Sequence, residues 1–124
     1  MPRSKKDKYE NSGILAERIA RITLEKKAEK VVIMNLAPLT SMTDYFVICT
    51  GNTNTQVKAI SEHVTDELKK EKIRPLHIES SSNQEWILVD YIDVILHIFQ
   101  PDKREFYSLE RLWGDAETEE VVDE

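Results

Sequence analysis

The most regular feature of the sequence is the helical spacing of apolar residues in two segments. In the first, Leu15, Ile19 and Ile22 follow one another at intervals of four and three residues, so they share one face of a helix. Ser12 precedes this pattern and is a candidate N-cap, and the pattern fades near Glu29. We therefore predict a first helix from about Ser12 to about Glu29.

The second helical segment begins with a possible capping box. Thr53 and Gln56 have the spacing at which each side chain can cap a backbone N–H of the other residue. Apolar residues then recur at intervals of three and four: Val57, Ile60, Val64 and Leu68. This pattern predicts a helix from Thr53 to about Lys72.

Short apolar runs predict the strands. Residues 31–36 and 45–50 are continuous and rich in β-branched side chains, which indicates two buried strands joined by a loop at residues 37–44. Further along, Leu76 and Ile78 alternate with polar neighbours. This alternation predicts a third, half-buried strand.

Two further apolar runs, residues 86–89 and 94–99, are separated by a short polar segment, and this spacing predicts an antiparallel hairpin. Residues 103–112 follow a proline and predict a short helix or turn. The fold class is therefore α/β, or α+β, with a mixed and roughly five-stranded sheet that two or three helices flank.

The ends of the chain differ from its middle in composition. Residues 1–11 are polar and charged without periodicity, so they predict a flexible N-terminal segment. Residues 115–124 carry six acidic side chains in ten and predict a disordered tail. A single domain is expected between them, over residues 12–114.

Charge is distributed unevenly along the chain. The net charge is -6, and residues 75–124 hold three basic residues against thirteen acidic ones. An acidic surface favours a basic partner and disfavours naked nucleic acid, so no direct DNA binding is expected. The alternative, that the acidic surface only confers solubility, remains open.

Two observations bear on the compartment. No apolar run approaches the roughly 18 residues that a membrane span needs, and the basic N-terminus lacks the apolar stretch of a secretory signal. The one cysteine, Cys49, lies in an apolar run and cannot form an internal disulfide. A cytoplasmic protein without membrane contact is expected.

The usual signatures of catalysis and cofactor binding are absent or weak. Cys49 and His97 lie in predicted buried strands, where a core role is the commoner one. The three histidines lack metal-ligand spacing, and three glycines are too few for a phosphate-binding loop. We predict no catalytic residue, no metal and no cofactor.

One alternative enzyme site remains open. Asp90 and Asp93 lie at the ends of adjacent predicted strands, and with Asp44 they could hold Mg²⁺ for phosphoryl chemistry. A solvated hairpin turn explains the same pair more simply. The main alternative function is thus a small Mg-dependent nucleotidyltransferase-like enzyme, and a structural subunit of an unrelated complex is a third.

Aromatic residues favour a binding role for the last third of the chain. Trp and Tyr often dominate interface energetics, and this part holds Trp86, Tyr91, Phe106, Tyr107 and Trp113. Trp86 follows a polar turn and opens a strand, which favours an interface role. Trp113 is predicted as a terminal core residue, with an exposed anchor as the alternative.

Four segments resemble one known family, the ribosomal silencing factors, called RsfS or Iojap-related. In order along the chain they are SMTDYFVICTG at 41–51, VKAI at 57–60, EWILVD at 85–90 and FYSLERLWGDAE at 106–117. The resemblance extends over roughly residues 12–117. Four motifs in the right order make it far more specific than any one of them.

The resemblance implies a translational repressor. Such a protein binds the large ribosomal subunit at the ribosomal protein numbered fourteen, blocks association with the small subunit, and slows translation when nutrients are scarce. It also implies a nucleotidyltransferase-like fold without that enzyme's active-site motif, and a homodimer when free. Carried over residue by residue, the partner-binding surface comprises Trp86, Leu88, Asp90, Asp93, Tyr107 and Trp113.

The sequence departs from the family at one position. The family commonly has glycine in the hairpin where this chain has Ile92. A β-branched residue resists positive φ, so the geometry of this turn does not follow from the resemblance.

Overall fold

The computed structural model of the protein describes residues 11–123, so all but the last residue of the N-terminal segment predicted at 1–11 lies outside the described residues. The helices and strands in chain order are α1 (Ser12–Glu25), β1 (Glu29–Asn35), β2 (Tyr45–Thr50), α2 (Asn54–Lys70), β3 (His77–Ser80), β4 (Trp86–Asp90), β5 (Val94–Phe99), α3 (Pro101–Tyr107), α4 (Leu109–Leu112) and β6 (Glu117–Val121). The strands form one sheet in the order β3-β4-β5-β2-β1-β6.

The sheet is mixed, which confirms the predicted fold class. Strands β2 and β5 pair in parallel, and the other neighbouring strands pair antiparallel. Helices α1 and α2 pack on one face, where they bury the larger apolar cluster. A second apolar cluster lies on the other face, against which residues of α4 and the segment after it pack. We call the first the helix-covered face and the second the open face.

Helix α1 is shorter than predicted and has a different cap. Asn11 is the N-cap, and its side chain accepts a hydrogen bond from Gly13 N at 2.7 Å. The helix ends at Glu25 because Lys27 has a φ of 67° and Ala28 N donates back to Thr23 O at 3.2 Å. The predicted cap at Ser12 and the predicted end near Glu29 are therefore wrong.

Helix α2 begins at the predicted capping motif. Thr53 accepts from Gln56 N at 3.0 Å, while the Gln56 side chain accepts from Asn52 N at 2.7 Å, one residue before the expected position. The amide of Gln56 also donates to the carbonyls of Lys26 and Lys27. The start of α2 is thereby fixed to the end of α1.

The acidic segment near the C-terminus is not a disordered tail. Residues 117–121 form β6, which pairs antiparallel with β1, and Val121 is 4% exposed in the core of the helix-covered face. Arg21 of α1 also donates to Val122 O at 2.9 Å. Strand pairing and one buried side chain outweigh the repulsion of the exposed glutamates. The predicted tail at 115–124 is therefore corrected up to residue 123, and the described residues form a six-stranded sheet.

Strand β3 differs from its prediction too. The alternation in the sequence predicts a half-buried strand, but all four residues of β3 are exposed, and Ile78 is 49% exposed. The reason is its place at the edge of the sheet, where only β4 pairs with it.

The predicted hairpin of β4 and β5 is confirmed, and its turn is strained. Ile92 has a φ of 76°, and Asp93 N donates across it to Tyr91 O at 2.9 Å, the hydrogen-bond pattern of a γ-turn. Asp90 stabilises this turn, since its carboxylate accepts from Ile92 N at 2.7 Å. Local hydrogen bonds thus hold a β-branched residue where glycine is favoured.

The role of β6 can be tested at two adjacent valines. Val121→Ala removes buried methyl groups and should lower the free energy of unfolding by about 2 kcal/mol. Val122 is 51% exposed, so Val122→Ala should change it by less than about 0.5 kcal/mol. Urea denaturation measures both values. Equal effects of the two substitutions would contradict a docked β6.

The strain at the γ-turn gives a second prediction. Ile92→Gly should raise the free energy of unfolding by about 1 kcal/mol, because glycine adopts positive φ without steric cost. The matched control is Ile78→Gly, which has similar exposure (49% against 50%) in a regular strand and should instead lower it by about 1 kcal/mol. If Ile92→Gly destabilises the protein as much as the control does, the turn carries no strain.

Candidate partner-binding face

The side chains of β4 alternate between the two faces of the sheet, and this alternation decides which of them are exposed on the open face. Ile87 and Val89 are buried beneath the helices, so the alternate residues Trp86, Leu88 and Asp90 project from the open face. All three are partly exposed. The register of the hairpin sets them opposite residues of β5: Trp86 opposite Phe99, Leu88 opposite His97 and Asp90 opposite Ile95.

Trp86 is held in place by aromatic neighbours. Its ring stacks on Phe99 with centroids 5.0 Å apart and contacts Tyr107 at 4.5 Å. Its Nε1–H donates to Nδ1 of His97 at 3.2 Å. The side chain is therefore a fixed, half-buried platform, because its one polar group already has a partner.

His97 supports this platform from within the sheet. It is 4% exposed, and burial lowers its pKa from 6.5 to about 4, so the ring is neutral at physiological pH. Because Nδ1 accepts from Trp86, the ring proton lies on Nε2, for which no hydrogen-bond partner is found among residues 11–123. The Phe46 ring meets the imidazole nearly edge-on, with centroids 4.5 Å apart. The predicted core role of His97 is confirmed.

The short helices bring two of the predicted site residues to the same face. Tyr107, at the end of α3, is 42% exposed and contacts Trp86. Trp113 follows α4 and is partly buried against Phe46, at 6.3 Å between ring centroids. Trp113 is thus a partial cover of the second apolar cluster, and Tyr107 is a rim residue beside Trp86.

Arg104 fixes these helices to the sheet. Its Nη1 donates to Lys30 O at 2.7 Å and to Thr50 Oγ1 at 2.9 Å, and its Nε and Nη2 donate to the Glu110 carboxylate at 2.9 and 3.0 Å. Lys30 has a φ of 53° at an irregularity in the β1–β2 register. The Arg104 side chain is 11% exposed, and its role could not be read from the sequence because two of its partners, Lys30 and Thr50, are distant in sequence.

The aspartates at the hairpin have different surroundings. Asp90 lies on the open face at the end of β4 and caps the turn, as described above. Asp93 lies within the turn, and its carbonyl accepts from the backbone N–H groups of Asp44 and Tyr45. The two positions share one end of the sheet, but only Asp90 lies in the same row as Trp86 and Leu88.

The alternative enzyme site receives no support from the geometry. Among residues 11–123, no group of three or more histidines, cysteines and carboxylates could hold a metal ion. Asp44 accepts instead from Ser12 Oγ at 2.8 Å. Cys49 is fully buried, and burial raises the pKa of its thiol to about 12, so it is not a nucleophile at physiological pH.

Two small cavities on the open side include residues that sequence analysis missed. One, of about 340 Å³, has Leu39, Leu112 and Trp113 in its wall, and Leu112 is 71% exposed. The other, of about 220 Å³, has Glu79 in its wall beside Trp86 and Leu88. The hydrophobic pattern of the sequence does not predict the exposure of Leu112 or Glu79, because that exposure depends on the packing of separate elements.

The chain is similar to known proteins in both sequence and fold. The profile of a family described as "Ribosomal silencing factor during starvation" matches residues 9–124. A protein of Halalkalibacterium halodurans named ribosomal silencing factor RsfS is 39% identical over 97 residues, which cover 78% of this chain and 83% of that protein.

A solved structure and a more distant relative agree with this. A crystal structure of a Bacillus halodurans protein superposes with a TM-score of 0.76 at 33% sequence identity and covers 90% of this chain and 100% of that one. A mouse protein named "Mitochondrial assembly of ribosomal large subunit protein 1" is 29% identical over 72% of this chain and 40% of its own length. Within residues 11–123, no helix is both long and apolar enough to span a bilayer.

The buried histidine makes stability depend on pH. The folded-state pKa of His97, about 4, is below its unfolded value of 6.5, so His97 stabilises the fold above pH 6.5 and this stability is lost as the pH falls towards 4. The loss attributable to His97 should reach about 3 kcal/mol. Urea denaturation at pH 7 and at pH 4 gives the loss of unfolding free energy for wild type and for His97→Gln. The loss in wild type minus the loss in the variant is the contribution of His97, because all other groups titrate in both proteins.

The control for this experiment is His77→Gln, which removes a half-exposed histidine and leaves His97 in place, so the loss of stability attributable to His97 should remain. If wild type and His97→Gln lose stability in parallel over this range, the neutral buried state assigned to His97 is wrong.

Proposed function

The chain belongs to the ribosomal silencing factor family, and from this premise we propose that it is a translational repressor acting on the large ribosomal subunit. It binds at the ribosomal protein numbered fourteen, blocks association with the small subunit, and slows translation when nutrients are limiting. The family description, which refers to starvation, and the mouse relative's name, which refers to the large subunit, support this proposal.

The observation that carries the proposal is the composition of the open face. Trp86 is a fixed aromatic platform with Leu88 and Asp90 beside it in one strand and Tyr107 at its rim. Interfaces commonly have such a centre of aromatic and apolar side chains with charged groups around it. The acidic character of the C-terminal half adds long-range attraction for a basic ribosomal protein.

Repression of this kind requires occupancy of a surface and no chemical step. The protein acts by steric exclusion, since a folded domain on the intersubunit face of the large subunit occupies space that the small subunit needs. Asp93 and Trp113 extend the binding surface around the central residues. We further propose that the protein acts in the cytoplasm and is a homodimer when free.

Co-sedimentation with purified bacterial large subunits tests the binding surface. Leu88→Lys places a charge at the centre of the open face and should weaken binding at least tenfold, roughly the cost of losing a central interface residue. The matched control is Ile14→Lys, because Ile14 is 56% exposed on α1, on the opposite side of the sheet. The control should pellet with large subunits as wild type does.

Two outcomes would contradict the proposal. If wild-type protein does not pellet with large subunits, the assigned function is wrong. If wild type pellets and both lysine variants pellet equally, the function stands and the assigned surface is wrong. Circular dichroism of each variant confirms that it is folded.

The exclusion step has its own test. Light scattering follows the joining of purified large and small subunits, and wild-type protein added to the large subunit first should lower the joined fraction in proportion to its occupancy. Leu88→Lys should leave joining nearly unchanged at the same concentration. Normal joining in the presence of saturating bound wild type would show that the protein binds without excluding the small subunit.

A further inference from the structure

The cavity beside Trp86 has the size and position of a subsite for a single side chain. It measures about 220 Å³ and is lined by Glu79, Ser80, Ser81, Trp86 and Leu88. Ligand pockets for small molecules usually exceed about 300 Å³, so this cavity is small for a metabolite. In the β3–β4 register Glu79 pairs with Leu88, which places both side chains on the open face.

The polar groups of this cavity favour a hydrogen-bond donor as its occupant. The Trp86 Nε1–H is already donated to His97, and the Ser80 hydroxyl donates to Ser81 O at 2.9 Å. Ser81 Oγ accepts from the backbone N–H groups of Glu85 and Trp86. Of the lining side chains, Ser81 alone has an O–H that can still donate to an occupant, so the cavity offers few donors. Glu79 offers a carboxylate with unused acceptor positions.

The charges around the cavity favour a cation. His97, below Trp86, is neutral because burial lowers its pKa to about 4. Within residues 11–123 the basic group that contacts Glu79 is His77, whose Nε2 lies 3.4 Å from the carboxylate. Both side chains are more than half exposed, so this contact is weak. Lys103 is turned towards Glu85, at 3.8 Å. The carboxylate of Glu79 is therefore available to a partner's positive charge.

We propose that this cavity receives one arginine or lysine side chain of the ribosomal partner, with its aliphatic stem against Trp86 and Leu88 and its charged head on Glu79. The inference rests on the proposed function and adds to it a contact residue, Glu79, and the chemistry of the group that it binds. Long basic side chains commonly lie with their stems on apolar surface and their charges at a polar rim. The carboxylate also gives arginine a bidentate partner.

The test is a binding titration with purified large subunits. Glu79→Gln keeps the shape of the side chain, removes its charge, and should raise the dissociation constant about tenfold, as expected for the loss of a charged hydrogen bond. Glu79→Asp keeps the charge but withdraws it from the cavity, and it should give an intermediate loss. Because Glu79 is exposed, the unfolding midpoint should be that of wild type for both variants.

The matched control is Glu62→Gln, which removes the same charge from an exposed position on α2. It should change the dissociation constant by less than about twofold. Equal weakening by Glu79→Gln and Glu62→Gln would show a general effect of net charge and overturn the subsite. Wild-type affinity in Glu79→Gln would overturn it as well, while the proposed function would stand. Absence of binding by wild type would overturn both.

Discussion

The arrangement of the open face depends on one guanidinium group. Arg104 joins α3 to the carbonyl of Lys30 in β1, to Thr50 in β2 and to Glu110 in α4. These are charge-assisted hydrogen bonds made by a largely buried group. Because all of them must be formed at once, they restrict how α3 and α4 can be placed on the sheet. Helices of seven and four residues have little stability of their own. Without this anchor, Tyr107 would not be held against Trp86, and the second apolar cluster would lose its partial cover.

The elements whose formation depends on residues adjacent in sequence were predictable from the sequence. The motif at Thr53 and Gln56 and the apolar runs of β1, β2, β4 and β5 are local signals, and each led to the right element. The predicted N-cap at Ser12 is wrong because Asn11, one residue earlier, is also a capping residue type, and only backbone geometry separates the two positions. Strand β6 was missed because its stability comes from β1, more than 80 residues earlier, whereas its own composition is typical of disorder.

The candidate partner-binding face was predictable in outline only. The motif around Trp86 predicts a binding role, and the alternation in β4 allows Leu88 and Asp90 to be placed beside it. The half-buried state of Trp86 follows from Phe99, His97 and Tyr107, which come from two other elements. Glu79 joins the same surface through strand register, which a single sequence does not determine. Tyr91, grouped with the interface aromatics by sequence, is buried on the helix-covered side.

The parallel pairing of β2 with β5 has a consequence for the rate of folding. The two central strands, residues 45–50 and 94–99, meet only after the intervening chain, with α2, β3 and β4, has closed into a loop. Closing such a loop costs entropy before the contacts between the strands are gained, so the barrier to folding is set largely by this step. The hairpin of β4 and β5 can form early because its strands are adjacent in sequence. A chain arrested at that stage would expose the apolar residues of β5, and the time spent there determines its risk of aggregation.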